Sequence, residues 1–126
     1  MTGAQLKARL QDGGRVYGTM LTLTRNPRWV QALEGVGLDY AIIDTEHAPF
    51  SRGEVADMAH MLARAGIVPI VRIPVPDPHY VTMAMDAGAQ GVLAPYCETA
   101  DQVKEVIGGA KWRPLKGALL QSALDT

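Results

Sequence analysis

Residues 38–54 read Leu38-Asp39-Tyr40-Ala41-Ile42-Ile43-Asp44-Thr45-Glu46-His47-Ala48-Pro49-Phe50-Ser51-Arg52-Gly53-Glu54. From Tyr40 to Ile43 the run is apolar at successive positions rather than at every second one, the pattern of a strand covered on both faces and hence of a parallel sheet under helices. It breaks off at Asp44 into polar and ionisable residues, Thr45, Glu46 and His47. Ser51-Arg52-Gly53-Glu54 then matches a capping box, in which a hydroxyl and a carboxylate satisfy the free N–H groups of a helix start. Behind it Val55, Met58, Ala59, Leu62 and Ala65 fall on one helical face, and Gly66 stops the helix. A strand, a loop of reactive groups and an amphipathic helix together make a βα unit.

The same cycle recurs on either side. Upstream, after a short amphipathic start with Leu6 and Leu10 four apart, an apolar run from Val16 to Thr24 leads to Asn26-Pro27 as cap and first turn. Trp29, Val30, Leu33 and Val36 follow at helical spacing, and Gly35 and Gly37 end that helix. Downstream, Ile67 to Ile73 is a third strand, with Asp77-Pro78 opening a helix through Val81, Ala84 and Met85 to Gly88. Gln90 to Tyr96 is a fourth, followed by the capping box Thr99-Ala100-Asp101-Gln102 and by Val103, Val106, Ile107 and Ala110. Beyond Lys111 the sequence is expected to begin a fifth strand.

The composition of the 126-residue chain, 48% hydrophobic and 20% charged, is that of a single globular unit spanning residues 1–126. Its net charge of −1, with basic residues scattered from Lys7 to Lys116, argues against nucleic acid or an anionic membrane as partner. No apolar run has the ~20 residues of a membrane helix, and the first residues lack the apolar core of a signal peptide, so a cytoplasmic location is expected. Cys97 is the sole cysteine, which excludes an internal disulfide or a cysteine-based zinc cluster; any metal would need oxygen or imidazole ligands.

Parallel βα units build either a closed (β/α)8 barrel or an open doubly wound, flavodoxin-like sheet. The units here use about 110 residues, where a complete barrel takes ~250. An open part-barrel would expose two strand edges and the inward side chains, which predicts self-association. No GxxxxGK and no strand-following GxGxxG is present, which disfavours a nucleotide fold, and GxSxG and HExxH are absent too.

Both architectures gather chemistry where strands end. The second strand ends in Asp44-Thr45-Glu46-His47, the third in Arg72, the fourth in Pro95-Tyr96-Cys97-Glu98, and Arg25 follows the first. His47 is a candidate for proton transfer, since imidazole titrates nearest working pH; otherwise it caps a backbone carbonyl. Asp44 and Glu46 share one side of an extended segment, where such a pair binds a cation or shifts a pKa. Glu46 could hold a metal-bound water or sit in solvent. Arg72 leaves a buried strand with a permanent charge that must meet an anion, either a carboxylate ligand or Asp44 or Glu46. His60 and His79 read as surface residues, Cys97 as a small buried hydrophobe, and Met58, Met61, Met83 and Met85 as core or helix filling.

Three stretches in this order, Gly35 through Pro49, Pro69-Ile70-Val71-Arg72-Ile73-Pro74 and Met85 through Pro95, resemble the class II metal-dependent pyruvate aldolases of the HpcH/HpaI family. The similarity covers about residues 5 to 115 and implies a (β/α)8 barrel of which this chain carries roughly the first four βα units, the N-terminal half. The implied reaction is reversible cleavage of a 4-hydroxy-2-oxo acid to pyruvate and an aldehyde through an enolate. By resemblance His47 moves the proton, directly or through a metal-bound water, Arg72 stabilises the enolate, Glu46 accepts from water on the metal, and Asp44 is a partner near His47. Asp86 matches a residue associated with that histidine but lies on the N-terminal side of the fourth strand, so it would have to serve a neighbouring subunit's histidine. The resemblance also implies Mg2+ or Mn2+, with direct ligands expected beyond residue 126, and a homo-oligomer. The alternative is a half-barrel fragment that self-associates without catalysis of its own.

Overall fold

The computed structural model describes residues 1–112 and 117–126. Its centre is a parallel sheet of β1 (Gly18–Leu21), β2 (Tyr40–Asp44), β3 (Val68–Arg72) and β4 (Gly91–Leu93), paired in the order β1-β2-β3-β4. Spatial order thus follows chain order, which removes the doubly wound reading, because that topology reverses direction at a switch point. With right-handed crossovers, consecutive parallel pairing places every connecting helix on the same side of the sheet.

Those helices are α2 (Val30–Leu33), preceded by a 3-10 turn at Pro27–Trp29, then α3 (Arg52–Arg64), α4 (Pro78–Asp86) and α5 (Ala100–Lys111). Both capping boxes read from the sequence are present, Ser51 with Glu54 and Thr99 with Gln102, and Asn26 and Asp77 cap Pro-initiated turns. Ala41 and Ile43 of β2, Val71 of β3 and the following Ile73 pack with Val55, Met58, Ala59, Leu62, Val81 and Ala84 as the core. The alternate strand residues Met20, Tyr40, Ile42, Ile70 and Leu93 share the opposite, inner face by register. Ile42 and Ile70 there are half-buried, whereas Met20 and Leu93 are exposed. At the N-terminal end of the strands, α1 (Gly3–Gln11) is tied down by Gly3 N–H donating to Gln90 Oε1 (2.7 Å) and by the Met1 ammonium donating to the Gly66 carbonyl (3.1 Å).

Several elements are shorter than the sequence suggests. β1 spans four residues of the expected Val16 to Thr24, because Asp39 takes over at one end, its carboxylate accepting from Tyr17 N–H, and pairing stops at Leu21 opposite Ile43. β3 ends one residue short on each side of the expected Ile67 to Ile73. β4 ends at Leu93 rather than Tyr96, since Pro95 has no N–H to give and Tyr96 adopts φ 59°. In α2 only Val30 is buried and Leu33 packs on the core, while Trp29 and Val36 face outward. The expected fifth strand falls largely on residues 113–116, outside the described residues, and Gly117–Leu124 is a helix, α6. Ala, Leu and Gln are strong helix formers, and that local preference prevails over the strand-helix rhythm.

The tightest helix contact predicts a measurable effect. A Cβ on Gly109 of α5 would lie 2.9 Å from Val81 Cβ and 3.0 Å from the Pro78 carbonyl oxygen of α4. Alanine would gain about 1 kcal/mol of helix propensity, against about 1–3 kcal/mol for overpacking. Gly109→Ala is therefore expected to lower stability in urea unfolding by about 1 kcal/mol, and a more stable variant would disprove this close approach.

Candidate functional site

Register brings the site together. Asp44 pairs with Arg72 and Arg72 with Leu93, so the two charged side chains lie side by side on the inner face at the C-terminal ends of β2 and β3. Arg72 donates Nε–H to Asp44 Oδ1 (3.0 Å) and Nη2–H to Oδ2 (2.7 Å), a two-point contact that fixes the guanidinium plane. Asp44 Oδ1 also accepts from the backbone N–H groups of Glu46 (2.9 Å) and His47 (3.2 Å). A single carboxylate thus orients the cation and folds the loop after β2. Thr45 secures that loop to β3, its N–H and hydroxyl both donating to the Arg72 carbonyl at 3.0 and 2.6 Å.

Asp44 is fully buried, and burial alone would push its pKa up. The hydrogen bond from Arg72 outweighs that, aided by the two backbone donors, and holds it down at about 2. The Arg72 guanidinium is held more firmly protonated by Asp44, with Glu46 adding to the effect.

Glu46, 9% exposed, has Oε2 3.4 Å from Arg72 Nε and Oε1 3.2 Å from His47 Nε2. The solvent alternative for Glu46 therefore fails. Arg72 meets both carboxylates internally, yet its Nη1 makes no hydrogen bond or ion pair among the described residues. His47 differs from expectation in its partner: Asp44 holds its backbone N–H, and Glu46 contacts its imidazole. The ring is 67% exposed.

The other candidates lie elsewhere. Arg25 sits 3.8 Å from Glu54 at the start of α3. Asp86 is the last residue of α4, before β4 opens, at the end of the sheet opposite the cluster. His60 and His79 are exposed, and Met58 is core. Cys97 is exposed, not buried, because β4 ends four residues earlier and the chain has left the sheet. Tyr96 is a further residue tied to the cluster electrostatically: interaction with Glu46 pushes its phenol pKa up. The available signal was a phenol placed directly after a strand-ending proline.

A singly wound parallel sheet with helices on one side, and an ion-pair cluster at its C-terminal strand ends, defines an α/β protein of the barrel type. Residues 19–112 match the family model described as HpcH/HpaI aldolase/citrate lyase, and the chain belongs to that family. It is 32% identical to a hydroxypyruvate/pyruvate aldolase of Paraburkholderia phytofirmans over 90% of this chain and 44% of that protein. It is 33% identical to a 4-hydroxy-2-oxovalerate aldolase of Novosphingobium aromaticivorans over 86% of this chain and 41% of that protein. The crystal structure of an HpcH/HpaI aldolase from Desulfitobacterium hafniense superposes with a TM-score of 0.78 at 35% identity, covering 92% of this chain and 47% of that one. The chain spans less than half the length of these relatives.

Proposed function

We propose that the protein is a carbon–carbon lyase that reversibly cleaves a 4-hydroxy-2-oxo acid to pyruvate and an aldehyde. The observation that carries this reading is an exposed imidazole oriented by Glu46 next to a guanidinium oriented by Asp44. In the aldol direction His47 takes a proton from the methyl carbon of pyruvate and the electron pair moves to the keto oxygen. Arg72 stabilises the resulting enolate through its uncommitted Nη1 donors. The enolate carbon then bonds to the aldehyde carbonyl carbon, whose oxygen takes up a proton; cleavage runs the same steps backward. The names of the relatives in Paraburkholderia and Novosphingobium support this class of substrate.

The donors among the described residues do not make a metal site. Among the described residues no three His, Cys, Asp or Glu side chains cluster to hold an ion, and the oxygens of Asp44 and Glu46 are engaged by Arg72, His47 and backbone N–H groups. The family resemblance is the ground for proposing Mg2+ or Mn2+ with direct ligands outside residues 1–126. Asp86 is assigned to the histidine of a neighbouring subunit in a homo-oligomer. Among the described residues no helix is long and apolar enough to cross a membrane.

The decisive experiment follows pyruvate methyl protons by NMR in deuterium oxide, with and without added Mg2+ or Mn2+. Catalysed exchange is the expected result, reduced in Asp86→Asn. A folded chain that leaves the methyl signal unchanged in every condition refutes the reading for this chain.

One observation favours a second reading, a half barrel that self-associates without independent catalysis: Met20 and Leu93 are exposed on the inner face. Sedimentation velocity should then show a mass rising with concentration above 13.5 kDa, whereas a monomer throughout would exclude it.

A further inference from the structure

Between α3 and α4, on the helical side of the sheet, lies a half-open cleft of about 180 Å3. Its origin is in the packing of α4, which lies far more against α5 than against α3. Gly109 of α5 permits that approach, since a Cβ there would fall 2.9 Å from Val81 Cβ. Ala84 and Ala87, three residues apart at the end of α4, line the cleft and are too short to fill it. Val55 of α3, Met83 of α4 and the pair Val71 and Ile73 complete an apolar wall. Val71 and Ile73 pack on the helical side, whereas Arg72 between them points inward, so the sheet separates this cleft from the Asp44–Arg72 pair.

Size and charge define what fits. An apolar cavity of about 150 Å3 takes up benzene, so a body the size of a six-membered ring suits these walls. No Asp or Glu lines the cleft. Thr45 does, but its hydroxyl is committed to the Arg72 carbonyl at 2.6 Å. Arg52, in the first turn of α3, also lines it and makes no hydrogen bond or ion pair among the described residues. Nearby Glu54 does not neutralise it, being engaged by Ser51 and Arg25. A permanent cation with unused donors beside an apolar recess matches a carboxylate, which a guanidinium can hold at two points.

We propose that this cleft is a binding site for a small carboxylate with an apolar, ring-sized body, the body lying between α3 and α4 and the carboxylate on the Arg52 guanidinium. The site stands apart from the lyase reading and is tested without reference to it.

Benzoate is the probe, titrated into the full chain carrying carbon-labelled methionine methyl groups and followed by NMR. Met83 reports the cleft and Met20 the inner face of the sheet. The Met83 signal should shift with a Kd on the order of 1 mM, as expected of so small a ligand, while Met20 stays in place and saturating pyruvate does not displace the probe. Benzylamine, of similar size and opposite charge, should leave Met83 unmoved. Arg52→Gln removes the charge but keeps the Ser51–Glu54 cap, and should weaken benzoate about ten-fold, as for loss of a hydrogen bond to a charged group. Ala87→Leu places a longer side chain in the cleft and should abolish the Met83 shift. A folded wild type whose Met83 signal does not move at about 10 mM benzoate overturns the proposal. So does equal affinity for benzylamine, an unchanged Kd in Arg52→Gln, or a response confined to Met20 and reversed by pyruvate, which would place the anion at Arg72 instead.

Discussion

Replacing Arg72 by methionine is expected to destabilise the protein by about 3–5 kcal/mol at neutral pH, the range for leaving a buried charge without its partner. Asp44 would keep only backbone donors at full burial, and Glu46 would lose its cation at 9% exposure. Methionine fills much of the arginine volume, so the loss reports charge rather than packing. The pH dependence gives the sharper test. In the wild type the folded-state pKa of Asp44 is depressed to about 2 from 3.8, so its contribution, about 2 kcal/mol, is complete above pH ~4 and disappears as pH falls toward 2. In Arg72→Met, burial without the guanidinium raises that pKa instead, so mild acid, by protonating Asp44, should stabilise the variant. Urea unfolding at a series of pH values should therefore give opposite slopes on the acid side. Parallel slopes would mean that Arg72 and Asp44 are not thermodynamically coupled.

His47→Ala is expected to lower pyruvate methyl exchange by about 10²–10⁴-fold, the usual contribution of a positioned acid-base group. Stability should change by less than about 0.5 kcal/mol, because the imidazole is 67% exposed and forms no part of the core. His47→Gln adds a control: the amide can donate a hydrogen bond to Glu46 but cannot act as a base, so it should preserve the loop and remain inactive. Retained exchange in either variant, measured at equal folded fraction, would remove His47 from the proton-transfer role.

Much of the architecture was legible because local signals agreed. Ser51 with Glu54 and Thr99 with Gln102 mark helix starts by chemistry that needs no tertiary context, and the continuous apolar run through Ile43 reads as a strand covered on both faces. The pairing of Arg72 with Asp44 was one of two open alternatives, since choosing between ligand and internal carboxylate depends on strand register, a long-range quantity. Strand ends were overrun at Val16, Thr24 and Tyr96 because an apolar run does not record where a neighbour stops pairing. Cys97 followed from the same overrun. Tyr96 escaped notice because the left-handed region is signalled by glycine or asparagine, and here the backbone adopts it against local preference. The helix at Gly117–Leu124 shows composition prevailing over rhythm.

The sequential order of the strands bears on how the chain assembles. Gly18 pairs with Tyr40, Tyr40 with Val68 and Ile70 with Gly91, so each new strand closes a loop of similar, modest length onto the strand just before it. Loop-closure entropy is therefore met in nearly equal steps rather than in one long-range search. As the chain leaves the ribosome, β1 and β2 can pair before β3 emerges, and every later βα unit emerges beside an edge already waiting for it.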